Sequence, residues 1–167
     1  DKIDPQSGTS LAIGSSGDTI TVPTGATLTV PNGALSGQNY PAFLAYQSSA
    51  QSIVNDTVTK VNLQTEIFDT DNSFDSTTNY RFTPQIAGKY VIYGSTRKAT
   101  FSAARFQAVL KLNGSTNQLV VENGNGGTND SCVGSTVVEL NGSSDYIELF
   151  TFHNNGSTQN LIAGISS

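Results

Sequence analysis

The stretch "DTDNSFD" brings three carboxylates and several amide and hydroxyl oxygens close together in the chain. Such oxygens suit calcium, a hard cation, so Asp69, Asp71 and Asp75 form a calcium candidate. Phe74, however, stands where an EF-hand loop requires Gly, and no Glu closes the pattern. The alternative is a solvated turn between two core residues, Phe68 and Phe74. The sequence favours the turn, so we expect no cofactor, with calcium as the alternative.

The single histidine and the single cysteine are the next candidates for chemistry. His153 ends an aromatic strand, and Cys132 lies in a segment rich in Gly, Asn and Ser. A catalytic triad needs a base beside a nucleophile and an orienting carboxylate, and a reactive thiol needs a base or positive charge nearby. Neither grouping is marked in the sequence. We interpret His153 as a surface or strand-end residue and Cys132 as an inert thiol in a loop, and we predict no catalytic residues.

Paired carboxylates would allow glycoside hydrolysis, and Glu66, Asp69, Glu139 or Glu148 could supply them. A tailspike-like, glycan-degrading enzyme therefore stays open as an alternative function. The net charge of −5 argues against nucleic acid as a partner, because nucleic-acid binding needs clustered Lys and Arg. No apolar run reaches the length of a transmembrane helix, so we expect no membrane insertion.

The elements that must position these residues are short strands. Asn-Gly pairs and other turn signals recur about every ten residues after residue 40, and no segment has sustained helical periodicity. This pattern predicts an antiparallel β-sandwich. The predicted strands cover residues 43–46, 58–68, 79–83, 88–95, 105–112, 118–122, 135–140, 146–153 and 161–165.

Two of these strands are apolar on both sides. One side of strand 146–153 carries Tyr146, Phe150 and Phe152, yet its other side is also apolar, and "YVIY" at 90–93 repeats the pattern. A sheet with one face in water should alternate apolar and polar residues. We therefore predict that one side fills the sandwich and that the other packs against a second subunit, with Tyr146, Phe150 and Phe152 in the interface.

The first part of the chain contains an eight-residue repeat, "TITVPTGA" followed by "TLTVPNGA". Ile20 and Val22, then Leu28 and Val30, lie on one side of predicted strands that end at Pro and turn at Gly. An earlier, degenerate unit ends at Gly17. Such units cannot bury their apolar side alone. They form either a β-meander on the main domain or, as we favour, a stem in which the four apolar residues contact copies from neighbouring chains.

The main domain resembles the trimeric jelly rolls of the complement component 1q globular head and tumour necrosis factor. The resemblance rests on "PAFLAY" at 41–46, on "EIFD" followed by "FD", and above all on "FTPQIAGKY" at 82–90. It implies a jelly-roll β-sandwich that forms a homotrimer, and some members of the family bind calcium. At the C-terminus, "IAGI" departs from the aromatic residues that family members usually show. We predict a stem or anchor in residues 1–36 and a jelly-roll head in residues 37–167.

The first 34 residues are similar to lead-in segments of virion structural proteins of tailed phages, especially marine ones. This likeness implies a non-enzymatic fibre or capsid decoration protein on the virion surface, assembled in a bacterial cytoplasm. Its partners would be capsid or tail proteins, held through the N-terminal segment, and a host-cell surface glycan or protein. Loops 96–104 and 123–135 are the candidates for host binding, because loops on a rigid scaffold carry recognition. A secreted, cytokine-like signalling head is a further alternative.

Overall fold

The computed structural model describes residues 13–29, 41–99, 105–124 and 131–164. The chain divides into two compact units, Asp1–Gln38 and Asn39–Ser167. The predicted boundary after residue 36 lies outside the described residues and stays a prediction. In the part of the chain that is described, no helix is long and apolar enough to cross a membrane.

The second unit is all-β, as predicted. Its strands are β1 (Phe43–Tyr46), β2 (Gln51–Ile53), β3 (Thr59–Lys60), β4 (Thr65–Asp69), β5 (Phe74–Asp75), β6 (Arg81–Phe82), β7 (Gly88–Arg97), β8 (Phe106–Leu112), β9 (Thr116–Asn123), β10 (Ser131–Leu140), β11 (Ile147–His153) and β12 (Gln159–Leu161). All described pairings between them are antiparallel.

One large sheet and three two-stranded ladders enclose the core. The large sheet has the order β5-β6-β11-β8-β9, and β3 also pairs with β11. The ladders are β1-β4, β7-β10 and β2-β12, and a bridge between Lys98 and Leu161 links the last two. Ile92 of β7 and Val138 of β10 pack with Leu110 of β8 and Leu149 of β11 in one hydrophobic cluster. This arrangement confirms the predicted jelly-roll β-sandwich.

The motif at 82–90 builds one end of this core. Phe82 is 1% exposed, its ring stacks on Phe43 at 4.7 Å, and it meets Tyr90 edge-on at 5.5 Å. Phe74 also stacks on Phe43, at 4.6 Å. Burial and, secondarily, the Asp71 charge raise the pKa of Tyr90, whose hydroxyl donates to the Ile86 carbonyl at 2.6 Å. The motif therefore helps to bring aromatic residues from four strands together, β1, β5, β6 and β7.

Several predicted strand limits differ from the structure. The predicted strand 58–68 is two strands, β3 and β4, and the short strands β2 and β5 were not predicted. Phe68 was expected in the core, but it is 46% exposed. It lies on β4, which pairs only with β1 among the described residues, and its side chain is partly open to solvent.

The first unit is described over residues 13–29, which contain two matching turns. The amide of Asp18 donates to the Ser15 carbonyl, and that of Ala26 to the Pro23 carbonyl, both at 3.0 Å. The third residue of each turn is a glycine with positive φ, 95° at Gly17 and 89° at Gly25, a conformation that glycine adopts at low cost. The turns therefore occur where the repeat predicts them. The expected strands beside them form no ladder within these residues, because a ladder needs a partner strand.

Candidate functional site

The most exposed apolar surface of the second unit lies on the outer side of β7 and β10. Val91 is 75% exposed, Tyr93 66%, Val137 60% and Val133 46%. Val91 is paired with Val137, Tyr93 is two pairs further along the ladder, and Val133 is four pairs further, so these side chains share one face. We call these four residues the β7–β10 face. Lys89 and Glu139 at one end and Arg97 at the other give it a charged rim.

The inner side of the same ladder carries an apolar row of its own. Ile92 and Val138 are buried there, so this is the side that faces the sandwich interior, which the sequence pattern did not specify. A Cβ atom at Gly94 would lie 3.1 Å from both Leu110 Cδ2 and Leu149 Cδ1, so a larger residue would make these leucine side chains shift. The sequence alternation therefore places one apolar row inside and a second one in solvent.

A cleft of about 630 Å³ lies between β1 and β7. Leu44, Val91 and Tyr93 contribute to it, so it adjoins the β7–β10 face. At one end, the amide of Ile162 donates to the Arg97 carbonyl at 2.9 Å. None of its described lining residues is Asp, Glu, His or Cys. The described lining therefore supplies neither a carboxylate pair nor a nucleophile with a base.

The aromatic residues predicted for the interface lie on the other side of the molecule, on the outer face of the large sheet. Tyr146, Phe150 and Phe152 are half-buried, and each ring has a cation over it from the same chain. The distances to the ring centroids are 4.2 Å for Arg81 over Tyr146, 4.8 Å for Lys111 over Phe150 and 5.4 Å for Arg105 over Phe152. Their place in an interface stays a prediction, but they are less exposed than the β7–β10 face.

The interface residues predicted in the first unit are exposed where they are described. Ile20 is 63% exposed, Val22 45% and Leu28 69%. Val30 lies outside the described residues. Within residues 13–29, therefore, the apolar side of the repeat has little cover.

The two candidate nucleophilic or basic residues are both buried. His153 does end a strand, but it is 1% exposed rather than on the surface. Its Nδ1 accepts from the Asn155 amide at 3.3 Å, so Nε2 carries the proton and donates to the Ile53 carbonyl at 3.1 Å. Cys132 lies in β10 rather than in a loop, is 1% exposed, and donates to the Phe106 carbonyl. Both side chains serve packing between strands.

The three aspartates of the calcium candidate are used as acceptors for nearby groups. Asp69 accepts from the Phe74 amide at 2.7 Å, and Asp71 accepts from the Ser73 hydroxyl at 3.2 Å. Asp75 accepts from the backbone amides of residues 77, 78 and 79, and these bonds hold the pKa of its carboxyl far below its usual range. No group of three or more His, Cys, Asp or Glu side chains among the described residues could hold a metal ion. The geometry supports the turn interpretation, and a calcium site stays untested.

The carboxylates considered for glycoside hydrolysis are used separately. Glu148 is 4% exposed and bonded to Lys60 at 2.5 Å. Glu139 is opposite Lys89 on the β7-β10 ladder, and Glu66 is exposed on β4. Neither they nor Asp69 belong to the described lining of the cleft.

Half of the residues in the two loops predicted for host binding, 100–104 and 125–130, lie outside the described residues. Their described ends belong to strands, with Arg97 in β7 and Asn123 in β9. Host binding by these loops stays a prediction.

Comparison with known proteins gives a fold. No protein-family model and no curated protein matches this chain. The chain is similar to the crystal structure of murine APRIL, determined at pH 8.5, with a TM-score of 0.53 and 12% identity. The match covers 74% of this chain and 90% of the APRIL chain. At that identity it shows a jelly roll of the tumour necrosis factor type, as predicted. The likenesses to the complement component 1q head and to phage proteins stay predictions.

Proposed function

We propose that this chain is a non-enzymatic structural protein of a phage virion. It forms a homotrimer with the jelly roll as an exposed head and the N-terminal repeat as a stem. The observation that carries the proposal is the β7–β10 face, an exposed apolar row on a ladder whose inner side already has a buried apolar row with Ile92 and Val138.

The β7–β10 face favours contact between copies of this chain. Exposed apolar side chains that lie next to one another mark interaction sites more often than scattered ones do. Covering a Val or Tyr side chain contributes on the order of 1 to 2 kcal/mol, and each copy would bury the same residues. Jelly rolls of the tumour necrosis factor type are typically trimers, so a threefold assembly is the arrangement we favour.

The repeat supports a stem in the first unit. Ile20 and Leu28 are exposed, and the segments that carry them have no strand partner among residues 13–29. Three identical segments, one from each chain, could cover these side chains and supply ladder partners. The stem would then hold a capsid or tail protein.

The placement on a virion rests on the likeness of the first 34 residues to phage lead-in segments. It is tested by whether capsid and tail genes flank the coding sequence, and by images of intact particles labelled at this chain. Release of oligosaccharides from host polysaccharide would instead favour the enzyme alternative. A neighbourhood without virion genes would favour the secreted, signalling alternative.

Light scattering on the full chain at micromolar concentration tests the assembly, and we expect the mass of a trimer. Val137→Glu should shift the mass to that of a monomer, because the charge would be buried in the contact. Val120→Glu is the matched control: Val120 is 46% exposed on β9, outside this face, and its substitution should leave the trimer intact. A wild-type monomer or dimer, or equal effects of both variants, would show that the proposal is wrong.

A further inference from the structure

The outer face of the large sheet carries a row of cations on aromatic rings, centred on β11. Its rings are Tyr146, Phe150 and Phe152, and its cations are Arg81, Lys111, Arg105 and Lys60. We call these seven residues the β11 row. The chain has eight Lys and Arg residues and a net charge of −5, so half of its cations gather on one face of an acidic protein.

Strand register builds this row from distant parts of the sequence. Arg81 of β6 is opposite Glu148 on one side of β11, and Lys111 of β8 is opposite the same residue on the other side. Lys60 of β3 is opposite Phe150. Because neighbouring strands lie about 4.8 Å apart, the backbones of Arg81 and Lys111 are about 10 Å apart.

Two of the four cations are already paired with carboxylates. Lys60 Nζ is 2.5 Å from Glu148 Oε1, and Arg105 is 3.0 Å from Glu122. Among the described residues, Arg81 and Lys111 form no ion pair; each lies over an aromatic ring instead. Asp75 and Glu148 are opposite Arg81 in the strand register, and Glu148 is also opposite Lys111, but neither carboxylate forms an ion pair with these two cations.

The ring under Arg81 also prepares it to bind an oxyanion. Its Cζ atom lies 4.2 Å from the Tyr146 centroid, a distance at which guanidinium and ring attract each other. A guanidinium held in this way loses less freedom when its N–H fork binds a carboxylate or sulfate. Lys111 offers a second positive charge, and the half-buried rings between them offer apolar edges.

We propose that Arg81 and Lys111 bind acidic groups of an extended polysaccharide that carries carboxylates or sulfates. This inference rests on the proposed function, in which the head is displayed to a host surface, and it names the ligand class. A polysaccharide fits because its sugar rings present C–H surfaces to aromatic residues, while its acidic groups reach both cations. Duplex nucleic acid fits less well, because it needs many clustered Lys and Arg residues on its phosphates, and this face offers two described cations outside ion pairs.

Isothermal calorimetry on the full chain tests the proposal, with polygalacturonate and dextran sulfate as probes and neutral dextran as the control. We expect at least one acidic polymer to bind, more weakly as salt increases, and neutral dextran not to bind. Arg81→Gln and Lys111→Gln should each weaken binding about tenfold, as the loss of a charge-assisted contact does. Lys89→Gln, which makes the same charge change on the rim of the β7–β10 face, should leave the affinity unchanged.

Arg81→Lys keeps the positive charge but removes the paired N–H donors of the guanidinium group. We expect it to weaken binding nearly as much as Arg81→Gln does. Light scattering on the same samples measures whether each variant is still a trimer, so a loss of polysaccharide binding can be told from a loss of assembly. The proposal is wrong if a wild-type trimer binds neither acidic polymer, or if Lys89→Gln weakens binding equally. Loss of the trimer in Arg81→Gln or Lys111→Gln would identify the β11 row as a subunit contact and overturn the proposal. If duplex DNA bound as tightly through the same two residues, the ligand would be a nucleic acid and the proposal would be wrong.

Discussion

Replacing Lys60 by Met should destabilise the head strongly, because it leaves a buried carboxylate without its cation. Glu148 is 4% exposed, and Lys60 Nζ is bonded to it and to the Asn79 carbonyl at 3.2 Å. Removing one partner of a buried ion pair costs about 3 to 5 kcal/mol. Since the Lys60 side chain is itself 34% exposed, water can reach part of the site, and we expect a loss of about 3 kcal/mol.

The double variant Lys60→Met/Glu148→Gln separates two effects on stability, the loss of the Lys60–Glu148 contact and the burial of an unpaired carboxylate. A neutral amide at position 148 costs less to bury than a carboxylate, so the double variant should be more stable than Lys60→Met alone by about 1 to 2 kcal/mol. Lys111→Met is the control, since Lys111 forms no described ion pair and its loss should cost less than about 1 kcal/mol.

Urea denaturation followed by circular dichroism measures these differences as shifts in midpoint at constant slope. All variants are compared at one protein concentration, because assembly adds to the apparent stability. A loss below about 1 kcal/mol for Lys60→Met, or a double variant no more stable than the single one, would refute the reasoning about the buried charge.

Three further predictions concern the described residues. Gly142→Ala should lower the free energy of unfolding more than Gly156→Ala does. Both glycines have positive φ, but only at Gly142 would a Cβ atom overlap the backbone of Ala87. Urea denaturation midpoints that fell equally in the two variants would contradict this prediction. The lowered pKa of Asp75 means that its carboxylate stabilises the fold above the unfolded value of about 3.9, and this stability is lost as pH falls below it. Asp75→Asn should therefore lower the thermal midpoint at pH 6 and narrow its difference from wild type towards pH 2; a constant difference would count against it. Cys132, 1% exposed, should react with a thiol reagent only at the rate of unfolding, and immediate reaction in the native state would show that its strand opens.

Local alternation predicted the longer strands and indicated two that are apolar on both sides. The strand pattern at 90–93 predicted one apolar side inside the sandwich and one outside, and the structure shows that Ile92 is on the inner side and that Val91 and Tyr93 are on the outer side. It did not predict β2 or β5, because strands of three and two residues are too short to show a period. The prediction for Phe68 failed for a similar reason, because the alternation of apolar and polar residues does not show whether a strand lies at the edge or in the centre of a sheet.

The β11 row could not be predicted, because its cations are far apart in the sequence. Lys60, Arg81 and Lys111 meet only through the pairing of three different strands with β11. The sequence indicated that the Phe150 side chain is covered by another group, but it did not indicate which group. In the structure, Lys111 of the same chain lies over that ring. The burial of Cys132 was missed for a related reason, since its polar neighbours suggested a loop.

The spacing of the two turns in residues 13–29 has a consequence for how the N-terminal segment can change in length. Gly17 and Gly25 are eight positions apart, and an even number keeps every side chain on its original side. Duplication or loss of one whole unit in the gene would preserve both the turn phase and the apolar row. Any odd change would invert that row, so variation in length is expected to proceed in complete units and to leave the head untouched.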